Sequence, residues 1–577
     1  MQATRLDDWV RGWRGPLLAA LVALITALPG ALLIPPLDRD EARFTQATAQ
    51  MLETGDFVDI RFQEQPRDKK PVGIHWLQAI GVSAFSSAEA RRVWAYRIPS
   101  LLGAMLAAAA CAWGAAAFWG PRRGFAAGAV MALTFMLSTE AGIAKTDAVL
   151  CGVTTLALAA LARIYAESSG VAGVRTSWRT RLCFWAGMAI ALLDKGPIGP
   201  MVALLTGLTL WASDRRAPWA RGLAWAWGLI LVAAVVGPWA AAITVKTDGA
   251  FWGHAINSDV APKLRGGQEG HGAPPGAHLA FAPLLFFPFA ALLPAALIEG
   301  WKARAEPGVR FALCWLVPAW LVFEAAPTKL PHYTLPLYAA LAWLAIVALD
   351  RPLSSAGRWV GLGLSLLAGL VWTGLVIVLQ SRFGDGASLA WAALAALAAL
   401  LASVAGAAMV TIPARRWTLL AATCGLGLLA HMSLAGGLAP RLQAIWLSPK
   451  IVGLLDQAHL NPRGGLSPGP VTVIGYAEPS LVFALGTETV LGDAGDGADA
   501  ISEGRPVVVE LRAQKAFLEE LAADALKASA VGQVSGFDYS SGKRDTLFLY
   551  RSDNPAAAQT QADPPPQAAP AAGPGKR

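Results

Sequence analysis

The chain has 577 residues, 55% of them hydrophobic and only 15% charged, with a formal net charge of +8 and a mean hydropathy of +0.47. Such a composition is too apolar for a water-soluble globular protein and places the chain in a membrane. Its Lys and Arg residues are scattered through short loops, not gathered into a stripe, which excludes nucleic acid as a partner. The five cysteines, Cys111, Cys151, Cys183, Cys314 and Cys424, lack metal or disulfide spacing and read as packing residues.

In chain order, a basic start (Arg5, Arg11, Arg14) precedes an apolar run from Pro16 to Pro35. That run is close to the roughly 20 residues needed to cross a bilayer, and without an evident cleavage site it reads as a retained span. Next comes Leu37 to Trp76, LDRDEARFTQATAQMLETGDFVDIRFQEQPRDKKPVGIHW, where charge is concentrated. Asp38 and Glu41 have the offset of a helix capping box. Phe44, Ala47, Thr48, Met51 and Leu52 recur at helical spacing, Arg43, Gln46, Gln50 and Glu53 fall away from that stripe, and Gly55 is a stop. The pattern predicts an amphipathic surface helix. A second is predicted after Lys69 and Lys70, with Pro71 in its first turn and Val72, Trp76, Ala79, Ile80 and Ser83 as its less polar face.

Further spans are predicted near 97–119, 124–144, 148–165, 182–193, 197–212, 222–243, 279–299, 309–326, 332–349, 357–380, 387–410 and 417–437, about thirteen crossings in all by length. Alternate loops divide into two sets. One carries the N-terminus, Arg122-Arg123, the 163–181 stretch, Arg215-Arg216 with Arg221, Lys302-Arg304-Arg310, Arg351-Arg358 and Arg415-Arg416; by its basic bias it faces the cytoplasm. The other holds the 36–96 loop, the Lys145-Asp147 and Asp194-Lys195 turns, the 244–278 loop, the Pro327-Lys329 turn and everything after residue 438, and faces outward. Ionisable residues at span ends are costly unless they serve water, protein or ligand. A single such lysine is explained by snorkelling, whereas three turns and a charged loop on one face predict a shared cavity with carboxylates and cations, suited to a phosphorylated ligand.

Asp40-Glu41 with Arg43, MLETGDF, KKPVGIHW (with His75), RIPSLLGA, AKTDAVL, LDKGPIG and TKLPHYTLPLY (with His332) occur here in an order that resembles lipid-linked glycosyltransferases of the GT-C class. The likeness is to the branch with the lipid A aminoarabinose transferases and bacterial protein mannosyltransferase homologues. It runs from about residue 36 to 340, with a weaker echo in GFDYSSGKRDTLFLYR. The resemblance implies an inverting transfer from an undecaprenyl-phosphate-linked sugar to an envelope acceptor, lipid A, another glycolipid or a protein, at the periplasmic face of the inner membrane. It implies Asp40 as the acceptor's general base or orienting group and Asp147 as the second carboxylate. Lys70, with Lys195 and Lys329, would hold the leaving phosphate as point charges. Glu41, Arg43, His75 and His332 are further site candidates.

Two positions depart from that pattern. Where the aminoarabinose branch has a Glu associated with a divalent metal, this chain has Lys69, with Asp68 one residue earlier; where relatives carry a Glu-His pair, it reads WGHAINSDVAPKL, offering His254 or Asp259, with His271 further on. No three ligands are fixed by sequence, and a metal is left open. The expected fold is therefore a polytopic α-helical membrane domain over 1–438 followed by a small extracytoplasmic α/β domain over 439–552. In that second domain VTVIGY, PVVVEL and TLFLY read as strands and AQKAFLEELAADALKA as a helix. The Pro/Ala/Gln-rich tail, 553–577, is predicted to be disordered. The competing reading is a lipid-linked sugar flippase, which would place its polar residues near mid-bilayer on broken helices; a scaffold without activity leaves the paired carboxylates unexplained.

Overall fold

The structure, a computed structural model, describes residues 8–262, 272–464 and 469–553, and divides into two compact units, Met1–Leu442 and Gln443–Arg577. Most of the predicted tail and His271 lie outside the described residues.

The first unit is helical: α1 (Arg14–Leu33), α2 (Asp40–Thr54), α3 (Gly73–Phe85), α4 (Val93–Leu133), α5 (Phe135–Ala141), α6 (Thr146–Ser168), α7 (Trp178–Lys195), α8 (Ile198–Asp214), α9 (Trp225–Lys246), α10 (Ala277–Leu285), α11 (Leu292–Lys302), α12 (Pro307–Ala325), α13 (Tyr338–Leu349), α14 (Ser355–Phe383), α15 (Gly386–Thr411) and α16 (Arg416–Met432). Each predicted span coincides with helix. Among the described residues nine helices are long and apolar enough by themselves to cross a membrane. The longest, α4, is two helices joined at Gly120 (φ 82°), just before Pro121, which accounts for two of the predicted crossings, whereas the 279–299 span is divided between α10 and α11. Every residue of α13 is buried, and α6 is buried along most of its length; these two form the centre of the unit. By contrast α9 and α14 expose most of their apolar side chains, as expected for helices with a lipid-facing surface.

The loop between α1 and α4 differs from its sequence reading. Helix α2 is not an amphipathic surface helix: its residues from Ala42 to Met51 are buried except Arg43 and the flanks, and the buried set includes Gln46 and Gln50. Those glutamines lie inside because their amides are satisfied. Gln50 exchanges two hydrogen bonds of 2.8 Å with the backbone of Gln63, on the tight turn between β1 (Arg61–Phe62) and β2 (Gln65–Pro66), and Gln46 accepts from Arg91 at 2.5 Å. The capping box is not formed either, since Arg39 is the N-cap, at φ 63°, and no side chain caps the helix. Helix α3 buries Ile74, His75, Gln78, Ala79 and Val82 and leaves the predicted face residue Ile80 66% exposed; the packed face is the one turned to Gly103-bearing α4 and to α2.

The second unit holds a five-stranded sheet of order β4-β3-β5-β7-β6, with β3 (Thr472–Ile474), β4 (Val490–Gly492), β5 (Val507–Glu510), β6 (Ala528–Asp538) and β7 (Lys543–Ser552). Pairing is parallel for β4-β3-β5 and antiparallel for β5-β7-β6. The predicted helix ends at Ala523, and the chain turns at Ala525 (φ 54°) before β6 begins at Ala528, paired with β7.

Candidate active site

Close helix approaches set the frame of the site. A Cβ on Gly103 of α4 would lie 2.6 Å from Ala148 O, and one on Gly152 of α6 would lie 2.4 Å from Gly103 O. Only glycine at both positions lets the two backbones touch. This contact carries the start of α6 against Ser100, whose hydroxyl donates to Ile143 O at 2.6 Å. A third glycine, Gly73 at the start of α3, is jammed against the end of α7, where a Cβ would meet Leu193 C and O at 2.6 Å. The 142–147 turn, the 193–196 turn and the segment carrying Lys70 are thereby drawn together.

Glu41 and Arg97 lock this frame. Both are inside, at 1% and 0% exposure. Arg97 donates from Nε and Nη2 to the two oxygens of Glu41, each at 2.7 Å, and from its other N–H groups to Ala31 O at 3.0 Å, Ile34 O at 2.6 Å and Pro35 O at 3.0 Å. Glu41 further accepts from Ala144 N at 2.7 Å and Leu37 N at 2.8 Å. All five guanidinium donors and four carboxylate lone pairs are thus engaged, and the pair ties the end of α1, the start of α2, α4 and the turn before α6 to one point. Glu41 is therefore a positioning residue.

His75 has a comparable place. Gln78 Nε2 donates to Ala144 O at 3.1 Å, which turns its Oε1 to accept from Thr48 Oγ1 at 2.7 Å. The Thr48 oxygen, 2.8 Å from His75 Nδ1, is then left to accept, so His75 is protonated on Nδ1. Burial, with Arg67 and Lys70 adding their charge, pushes its pKa down to about 3. It is a neutral strut at physiological pH, not a proton carrier.

Beyond these supports lies a buried charge cluster. Asp147, in the first turn of α6, pairs with Lys195 at the end of α7. Lys145 Nζ lies 3.0 Å from Glu140 Oε2 and 3.6 Å from Asp147 Oδ2. His332 spans both carboxylates, with Nε2 3.5 Å from Asp147 Oδ1 and Nδ1 3.7 Å from Glu140 Oε1. Although burial opposes its charge, Glu140, Asp147 and Asp40 hold the Lys145 ammonium well above the usual lysine value, so it is a permanent cation. Asp40 itself opens α2 and is exposed. Lys70 lies 5.0 Å from the centre of the Phe44 ring and acts electrostatically on Asp147 and His332.

Of the residues singled out in the sequence, Asp40, Lys70, Asp147, Lys195 and His332 therefore belong to one electrostatic neighbourhood. Arg43 is half-buried on α2. Lys329 has other partners, donating to Ala273 O at 3.0 Å and Ala326 O at 2.6 Å beside the Gly272–Thr328 bridge. Glu140 and Arg97 were not singled out. Glu140 could have been found from its seven-residue distance to Asp147, which puts two carboxylates either side of one short turn.

Two sets bear on a metal. Glu140, Asp147 and His332 offer ligand atoms within 4.8 Å of one another, but Lys145 and Lys195 already face both carboxylates, so the negative charge is matched without a divalent ion. Asp68 Oδ2 lies 2.7 Å from His254 Nδ1, which brings together the two residues set apart in the sequence as substitutes for the family's metal-associated side chains. These are two donors among the described residues, fewer than a structural site takes; the Asp259 side chain and His271 lie outside the described residues.

The chain shares the GT-C fold of ArnT from Cupriavidus metallidurans, and its nine long apolar helices among the described residues make it a multi-pass membrane protein. The apo structure of that protein aligns with a TM-score of 0.70 at 20% identity over 97% of this chain and 100% of that one; the structure bound to undecaprenyl phosphate gives 0.68 at 19% over 92% and 97%. In sequence the chain is a homologue of the undecaprenyl phosphate-alpha-4-amino-4-deoxy-L-arabinose arabinosyl transferases. It is 30% identical over 383 residues to transferase 2 of Pseudomonas fluorescens, covering 64% of this chain and 66% of that protein. It is 28% identical over 342 residues to the enzyme of Pseudomonas paraeruginosa, covering 57% and 60%. The match thus spans less than two thirds of either relative. No family model matches the chain. The resemblance read from the ordered motifs is borne out by these homologues.

Proposed function

We propose that the protein is an inverting glycosyltransferase that moves a sugar from undecaprenyl phosphate to an envelope glycolipid, with lipid A as the foremost acceptor, at the periplasmic face of the inner membrane. The observation that carries the reading is the Asp147–Lys195–Lys145–Glu140–His332 cluster beside Asp40 and Lys70, in a chain homologous to aminoarabinose transferases. In the reaction the acceptor oxygen forms a bond to the anomeric carbon while the bond from that carbon to the phosphate oxygen breaks. Asp40, exposed at the helix start, takes the acceptor proton or orients an acceptor that is already anionic. Undecaprenyl phosphate leaves with the electron pair, and Lys70, with Lys195 behind it, stabilises the added negative charge. Asp147 fixes Lys195 and keeps the cations apart. Asp147 and Lys195 stand at the ends of their helices and not at mid-helix, which favours transfer over the flippase.

Lys70→Met is expected to weaken donor binding about tenfold to a hundredfold whatever sugar the donor carries, because an ammonium recognises phosphate and not the ring. Binding assays with two undecaprenyl-phosphate sugars check this; a loss confined to one sugar contradicts the assignment. For the topology, single cysteines at positions 60 and 250 should react with an impermeant reagent from the periplasmic side and those at 123 and 216 should not. Mass spectrometry of lipid A and other envelope glycolipids from a deletion strain should show a missing sugar, and an unchanged glycome would remove the proposal.

A further inference from the structure

At the end of the helices remote from the Asp147 cluster, α8, the end of α11 and α12 enclose a cleft of about 720 Å³. Its cationic mouth lies at the N-terminal end of α12 and its wall runs along that helix as far as Leu321, whereas Lys329 and His332 follow the C-terminal end; at 1.5 Å per residue the 19 residues of α12 put about 28 Å between the mouth and that end. The cleft has a cationic mouth, Lys302, Arg304 and Arg310, and an apolar wall that includes Leu313, Val317 and Leu321. Val317 and Leu321 also line a second, almost wholly apolar cleft of about 530 Å³ that extends toward Leu279 and Leu341. The two clefts have these two residues in common, and the first is by itself a groove along α12, basic at its mouth and apolar beyond it.

The cations at the mouth have different tasks. Arg310 is a structural brace: it donates to Asp214 Oδ1 at 2.5 Å and to the carbonyls of Arg304 at 3.4 Å and Ala305 at 3.1 Å, which holds the 303–306 turn in place. Lys302 is paired with Glu299, at 3.0 Å, and its side chain is exposed. Arg304 is exposed, with its guanidinium over the ring of Trp301 at 5.0 Å and one side-chain hydrogen bond among the described residues, to Trp301 O at 2.9 Å. Trp301 is itself 62% exposed, in the manner of an aromatic residue at headgroup level. Neighbouring Arg215 and Arg216, exposed after α8, add to the positive field.

We propose that this groove is a binding site for an anionic phospholipid of the leaflet opposite the candidate active site, with its phosphate at Arg304 and Lys302 and an acyl chain along Val317 and Leu321. A convex lipid-facing helix surface exchanges its lipids freely, whereas a concave apolar groove ending in cations retains those whose headgroups are negative. The site is independent of the transfer chemistry.

The test is native mass spectrometry of the purified full chain carrying dioleoylphosphatidylglycerol or dioleoylphosphatidylcholine, counting lipids retained as detergent is stripped. Wild type is expected to keep phosphatidylglycerol in preference to phosphatidylcholine. Arg304→Ala should reduce retained phosphatidylglycerol about fivefold, the factor that one basic residue near an anionic headgroup supplies, and Arg304→Lys should largely restore it. Val317→Trp, which fills the groove, should lower retention without changing the cations. Equal retention of the two lipids by wild type, or unchanged phosphatidylglycerol retention in both Arg304→Ala and Val317→Trp, overturns the proposal.

Discussion

Replacing Arg97 by methionine is expected to cost about 3–5 kcal/mol of stability, because it strands the Glu41 carboxylate in the protein interior. The side chain is wholly buried and all of its donors are used, two on Glu41 and three on the carbonyls that end α1 and begin the first loop. Methionine fills much of the space but offers no hydrogen bond, so three carbonyls and a charge lose partners together. A native membrane protein has a small stability margin, and the loss should appear as low yield in membranes and a steep fall in the unfolding temperature in detergent. Glu41→Gln, which keeps the shape, should cost less. An Arg97→Met variant that unfolds within a few degrees of wild type would show that the pair is dispensable and that the first loop is held by other contacts.

Asp147→Asn should lower activity strongly while leaving the fold nearly intact. The carboxylate faces three groups at once, Lys195, Lys145 and His332, and the amide removes its charge without changing its volume. Two ammonium groups then lose a shared counter-charge in a buried environment, and Lys195 is freed from the position in which the carboxylate holds it. The expected outcome is a fall in turnover of about 10²–10³-fold, the scale found when one preorganised electrostatic group is lost, with the protein still folded and still binding donor. Single-turnover kinetics separate the two. A rise in the donor's KM with unchanged kcat would instead assign Asp147 to ground-state binding.

Much of this architecture could be read from the chain because membrane spans announce themselves by length and apolarity, and because Asp40, Lys70, Asp147, Lys195 and His332 stand in motifs that interrupt that apolarity. What could not be read are features decided across the fold. Arg97 lies within a long helix, and its partner Glu41 is 56 positions away; periodicity carries no trace of such a pair. Gln46 and Gln50 look like a solvent face until Arg91 and the 61–66 turn satisfy their amides. Lys329 reads as one more phosphate-facing cation, and its two hydrogen bonds to the Ala273 and Ala326 carbonyls could not be read from the chain. Strand β6, with Gly532 and Gly536 in its course, lacks a clear alternation and exists through its pairing with β7.

The most direct test of the proposed transfer is made with purified protein, an undecaprenyl-phosphate-linked sugar and lipid A, following both lipids by mass spectrometry with Asp40→Asn in parallel. The account predicts that wild type releases undecaprenyl phosphate as lipid A gains the sugar, and that Asp40→Asn binds the donor but leaves both lipids unchanged. Undiminished turnover in Asp40→Asn, or donor carried intact across a sealed vesicle membrane by wild type, would contradict it.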